Sequence, residues 1–286
     1  MKHIISILHF LLMSIVMFGQ TADFGIGAKA RGLGGASIAL EHDVWSATNS
    51  QAQSAWNNSP EIGAFYEQGY MLKELSLLAL CGVLPFWNGS FSTSMIYRGH
   101  GDYNEMLARL AYAMRLSTKI SVSVGFDYLT ARALADDYRG NMFTFELGAS
   151  YKPNDRLNFA FHTFNPIGTK ASGEGYMNEK LSVYRGGGAF LLSEFATILT
   201  EVEYSNDYKT VAKVGLLLSF EEKYEIYGGF NTYPNQLSFG LGYTWRDVKI
   251  DFYSHYHFVL GYTPGLSFSY QFGTSRALRD RTSATF

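Results

Sequence analysis

Apolar and polar residues alternate along most of this chain with a period of two, the period at which side chains switch faces along a β-strand. In "KISVSVGFDYLTAR" (119–132), one set holds Ile120, Val122, Val124, Phe126 and Tyr128; the interleaved set holds Ser121, Ser123, Gly125 and Asp127. Met106, Ala108, Leu110, Tyr112, Met114 and Leu116 alternate in the same way with Leu107, Arg109, Ala111, Ala113 and Arg115. The pattern recurs over 143–151, 196–204, 237–245 and 248–256. Each run spans roughly 9–13 residues, long for a soluble strand and matched to a tilted strand crossing a bilayer.

Counting such runs from 62–70 to 264–272 predicts about 14 strands, of which 62–70 and 76–83 are the least regular. The connections sort by parity. They are tight at 116–118, 153–155, 193–194, 221–222 and 246–247, and longer at 131–139, 165–179, 232–235 and 259–263. Short periplasmic turns opposite longer outer loops are the pattern of outer-membrane barrels, and an even strand number returns both ends to the periplasmic side. A soluble two-sheet sandwich, the alternative, has no reason to sort its loops this way. A lipocalin-type barrel has too few strands for the chain. The pattern therefore predicts an all-β fold, a transmembrane antiparallel β-barrel of about 14 strands. Its apolar sets face lipid, where only a closed barrel satisfies every strand's backbone. Tyr128, Tyr151, Tyr243 and Trp245 fall at the ends of apolar faces, where aromatic girdles sit.

Composition moves the same way. Charged residues make up 17% of the 286, below the roughly 25% of soluble domains, while aromatics reach 16%. A net charge of −2 gives no reason to expect nucleic acid. The single cysteine, Cys81, excludes an internal disulfide framework and a multi-cysteine metal site. At the N-terminus, Lys2 precedes an apolar stretch from Ile4 to Phe18, the size of a secretory h-region and too short for a spanning helix. The expected organisation is a signal peptide (1–19), a Gly-, Ala-, Ser- and Asn-rich hatch or plug (20–61), the barrel (62–272) and a polar tail (273–286). The expected location is the bacterial outer membrane.

The inward-facing sets carry the candidate chemistry: Arg109, Arg115, Asp127, Glu146, His162, Glu201, Glu203, Lys213, Asp251 and His255. On the lipid face a charge would cost about 2–4 kcal/mol; in the lumen it is tolerated. Two readings stand: an ion-pair network pinning the N-terminal segment to the wall, or a selectivity lining, for which mixed signs make a weak filter. His255, His257 and Asp251 share one face, but a metal site needs three or four converging ligands, so no metal or cofactor is expected. "GLGGAS" (32–37) lacks the Lys-Ser/Thr of a phosphate loop, and its glycines suit close backbone packing inside a barrel. No Gly-x-Ser-x-Gly elbow occurs, and no enzymatic activity is expected.

Residues 27–55, "GAKARGLGGASIALEHDVWSATNSQAQSA", resemble the N-terminal signature of the PorV/PorQ-type outer-membrane proteins of Bacteroidota, within the FadL-like barrel superfamily. Arg31, Gly34, Gly35, Ala36, Asp43, Trp45 and Asn49 carry the resemblance, and the ending "GYTPGLSFSYQF" is similar to the same group. Asn49 is followed by Ser50-Gln51-Ala52 where that group has proline and glycine. The resemblance implies a 14-stranded barrel with the N-terminal segment folded inside as a hatch. It also implies relatives among transporters of hydrophobic molecules and accessories of type IX secretion. The expectation is binding or passage of a small apolar ligand, with Arg31, Trp45 and Trp56 shaping a hatch pocket. The alternative is an accessory of protein secretion or surface attachment. The expected partners are accordingly outer-membrane lipid, a hydrophobic small molecule or a secretion-system protein.

Overall fold

The computed structural model describes residues 25–134, 138–172, 181–221, 223–257 and 259–273. The predicted signal peptide and nearly all of the predicted tail lie outside these residues. Fourteen strands form one closed antiparallel barrel in which each pairs with its sequence neighbours and β1 closes on β14. They are β1 (Glu61–Gln68), β2 (Ser76–Phe86), β3 (Gly89–His100), β4 (Tyr103–Arg115), β5 (Ile120–Ala133), β6 (Tyr138–Asn154) and β7 (Leu157–Phe164). The second half comprises β8 (Val183–Ser193), β9 (Ala196–Ser205), β10 (Val211–Phe220), β11 (Tyr224–Thr232), β12 (Asn235–Trp245), β13 (Val248–His257) and β14 (Gly261–Gln271). The two irregular runs at the start of the barrel are genuine strands.

The alternation read from sequence is the alternation of the wall. Along β5, Ile120, Val124 and Phe126 are exposed while Ser121, Ser123 and Asp127 are buried. Phe126 and Phe143 keep 66% and 70% of their surface open, an exposure of large apolar groups that only a lipid environment makes favourable. The short turns hold: 116–119, 155–156, 194–195, 221–223 and 246–247 join strands at one end, each within two residues of its expected place. The longer outer connections expected at 131–139 and 232–235 do not: only Tyr233 and Pro234 lie between the end of β11 and the start of β12. β5 continues to Ala133 and β6 begins at Tyr138, because the outward face stays in strand register up to Arg132 opposite Arg139. Among the described residues, no helix is long and apolar enough to cross a membrane.

Residues 25–60 run inside the ring of strands. They contain three single turns of helix, α1 (Ala28–Gly32), α2 (Ser46–Asn49) and α3 (Gln51–Ser54), too short to be stable alone. Ile26, Ala28, Leu33, Ala47 and Ala52 are fully buried against the wall. No side chain caps any of the three turns; the wall and one asparagine hold them instead. Asn49 Oδ1 accepts from the Gly25 and Ile26 amides at 3.1 and 2.8 Å, and its Nδ2 donates to the Ile26 carbonyl at 2.8 Å. The turn lacking the proline and glycine is made by Ser50, extended at φ −167° between α2 and α3.

Candidate functional site

The lumen is layered along the barrel axis, and each layer follows from what the inward positions carry. At the short-turn end they are small and hydroxylic. Ser90 Oγ donates to the Ser54 carbonyl and Ser121 Oγ to the Ala52 carbonyl, both at 2.7 Å, so α3 lies against the wall. Asn158 Nδ2 reaches the Ala39 carbonyl at 2.9 Å. Glycines close the approach on the other side. A Cβ on Gly229 would stand 2.1 Å from the Leu33 carbonyl carbon, and one on Gly34 2.6 Å from the Phe230 amide nitrogen. The "GLGG" segment and β11 thus touch backbone to backbone, a use of glycine that the phosphate-loop reading would have missed.

The middle layer is a girdle of buried ion pairs. Arg109 bonds Asp127 at 3.1 Å and Glu146 at 3.1 Å, and Glu146 lies 3.3 Å from His162. Arg109 Nη1 also donates to the Thr48 carbonyl, and Gln51 donates to Glu146. Further round, Glu201 accepts from Arg185 at 2.8 Å and Lys213 at 2.9 Å, while Lys213 also reaches Glu203 at 2.7 Å. The second Glu201 oxygen accepts from the Ser37 and Ile38 amides at 3.0 Å. Arg185 Nη1 donates to the Asn49 carbonyl at 2.6 Å. Nearer the short-turn end of the far wall, Lys29 and Lys249 share Glu225 at 2.9 and 2.7 Å, with Asp251 3.7 Å from Lys249. Burial opposes the charge on Lys29, but Glu225, Asp43 and Asp251 outweigh it and hold the ammonium above its ordinary pKa. Nearer the outer end, Arg31 bonds Glu67 at 3.0 Å, and Tyr253 donates to the same carboxylate.

The predicted lumenal residues are therefore all buried or half-buried, and most meet in this girdle. Arg115 takes part in none of the ion pairs among the described residues. It sits at the short-turn rim, where its carbonyl accepts from Asn88 Nδ2 at 2.6 Å. His255 lies 3.3 Å from Gln236 Nε2 with Tyr70 packed edge-on, while His257 Nδ1 accepts from the Val259 and Leu260 amides. No group of three metal-ligating side chains occurs among the described residues.

Of the three predicted pocket residues, two share a wall. Trp45 packs edge-on against Phe65, Phe65 against Tyr253, and Tyr253 meets the Glu67 that binds Arg31. Trp56 does not join them. It lies along β6, donating to Ser150 Oγ at 3.1 Å under Lys152, whose Nζ is 4.4 Å from the ring centre. Sequence reasoning also missed Lys29, Glu67, Arg185, Glu225 and Lys249. Arg185 precedes Gly186, Gly187 and Gly188, a run with no alternation to read.

The outer layer was missed as a layer. On β4, β5, β7, β8 and β10 the inward position two residues outward from a girdle charge turns apolar: Leu107 beyond Arg109, Leu129 beyond Asp127, Phe164 beyond His162, Val183 beyond Arg185 and Val211 beyond Lys213, whereas on β6 it is Thr144 and on β9 Glu203. All are buried. Ile96, Leu107, Leu129 and Met142 are consecutive partners across β3 to β6 and form one row. Ala171 and Leu181, from the connection between β7 and β8, join the same cluster. A barrel that conducts water lines its lumen with polar groups; this one carries a partial greasy band outward of its ion pairs.

No family model and no curated protein matches the chain. Solved structures do. The toluene transporter TodX of Pseudomonas putida superposes with a TM-score of 0.67 at 12% identity, over 88% of this chain and 99% of that one. The toluene transporter TbuX of Ralstonia pickettii gives 0.62 at 10% identity, over 89% and 100%. A Pseudomonas aeruginosa FadL homologue gives 0.64 at 10%, over 88% and 98%. The fold is FadL-like. With its closed wall and apolar exterior, this FadL-like barrel is a bacterial outer-membrane protein.

Proposed function

We propose that the protein binds and passes a small apolar molecule across the outer membrane. The observation that carries this reading is the buried apolar band of Ile96, Leu107, Leu129, Met142 and Phe164 on the inner wall. Apolar side chains on a lumenal face gain nothing from water and suit a ligand without hydrogen-bonding needs. The likeness to toluene transporters supports the same reading. Residues 25–60 act as the hatch: they fill the polar floor below the band, and their displacement opens the route inward. Arg31 and Trp45 hold that hatch to the β1 and β13 side, and Trp56 holds it to β6.

The test is purification from outer membranes in mild detergent, followed by native mass spectrometry before and after adding toluene as probe. The wild-type protein is expected to retain an apolar ligand or take up the probe. Leu129→Asp buries a charge in the band and is expected to lower retention by about tenfold or more. An empty barrel carrying a stoichiometric protein partner would replace this reading with the secretion accessory.

A further inference from the structure

The outer wall of β5 and β6 carries two arginines that have no carboxylate partner among the described residues. Arg132 and Arg139 are direct partners across the two strands, both outward-facing and exposed. Like charges placed opposite one another on a sheet repel, so the pair is unfavourable unless an anion lies between. No ion pair joins either guanidinium to a carboxylate among the described residues.

Their position says which anion. The partners on this face, followed outward, are Phe126 with Phe145, Tyr128 with Phe143, Thr130 with Asn141, and then Arg132 with Arg139. The Tyr128 and Phe143 rings are 4.5 Å apart. The column thus passes from apolar, to aromatic, to neutral polar, to doubly cationic within one strand pair. That is the order of a lipid read from acyl chains to headgroup. The connection after β7 adds polar groups beside the column: Ser172 Oγ donates to Asn141 Oδ1 at 2.8 Å, and Lys170 lies two residues away.

We propose that Arg132 and Arg139 form a site for the phosphate of a phosphorylated glycolipid in the outer leaflet, with its acyl chains on Phe126, Tyr128 and Phe143. Two guanidinium forks converging on one phosphate make charge-assisted, geometrically specific hydrogen bonds, which a single lysine would not. The site is independent of the lumen and of what passes through it.

The test compares wild-type protein with R132Q/R139Q by native mass spectrometry after adding bisphosphorylated lipid A. As a control, K119Q/R156Q removes the same charge at the opposite rim. Heat-modifiability on gels confirms folding of each. Wild type and control are expected to retain lipid A, and R132Q/R139Q to lose about tenfold in affinity. Phosphatidylcholine is expected not to be retained by this site in any variant. Equal retention by R132Q/R139Q overturns the assignment, including the case in which Asp136 and Asp137, outside the described residues, neutralise the arginines. Displacement by inorganic phosphate as readily as by lipid A would also overturn it, since the acyl column would then contribute nothing.

Discussion

Glu201 shows how one side chain ties wall to hatch. One carboxylate oxygen takes Arg185 and Lys213, and the other takes the amides of Ser37 and Ile38. The group is fully buried, so its charge is tolerated only because every lone pair is used. Glu201→Gln keeps the shape and removes the charge, leaving Glu203 to serve both cations. The expected cost is about 3–5 kcal/mol, the range for breaking a buried pair from one side. Heat-modifiability should shift to lower temperature, and hydrogen exchange at 37–38 should accelerate while the distant strands stay protected. An unchanged exchange rate at 37–38 would mean that the Ser37 and Ile38 amides do not depend on this carboxylate. Residue-scale legibility follows the same physics. Glu201 and Lys213 were readable because strict alternation along β9 and β10 puts them on the inward face. Lys29 and Arg185 were not, because helical turns and glycine runs have no alternation to mark which way a side chain points.

At the scale of the element, glycines divide into those that matter to the hatch and those that do not. Gly229 faces Leu33 at a distance no Cβ tolerates, whereas a Cβ on Gly186 would have nothing within 4 Å. Gly229→Ala is therefore expected to push α1 and the following turn off β11, exposing residues 28–36 to proteolysis. Gly186→Ala should leave proteolysis and heat-modifiability unchanged. Equal behaviour of the two would mean the α1 contact is not a backbone contact. The strands themselves were legible to within about three residues at each end, since a two-faced environment enforces strict alternation. The segment inside the ring, residues 25–60, was legible only as composition. Its three helical turns are dictated by the wall they press against, so no local periodicity announces them. The outer connection at 131–139 was misread for the converse reason: polar and charged residues on an outward face resemble a loop unless that face meets headgroups rather than acyl chains.

For the whole molecule, closure and sealing are separate properties. Strand pairing is continuous around the ring, and β1 meets β14 without help from residues 25–60. Deleting residues 25–55 with the residues before them kept is therefore expected to leave a folded, heat-modifiable barrel. Without the hatch, water reaches the girdle, and its wall charges cease to be neutralised by Lys29 and Arg31. What remains facing the lumen is Glu61, Glu67, Glu105, Asp127, Glu146, Glu201, Glu203, Glu225 and Asp251 against Arg98, Arg109, Arg115, Lys152, Arg185, Lys213 and Lys249. Carboxylates are in excess, so the deleted barrel should conduct in planar bilayers with a preference for cations, weakening as salt screens the wall. The intact protein should show no comparable steady conductance. If the deleted barrel folds but stays closed, the seal lies in the outer apolar band, where Ala171 and Leu181 pack against Phe164 and its neighbours. Passage of any ligand would then be governed by the β7–β8 connection instead of by the hatch.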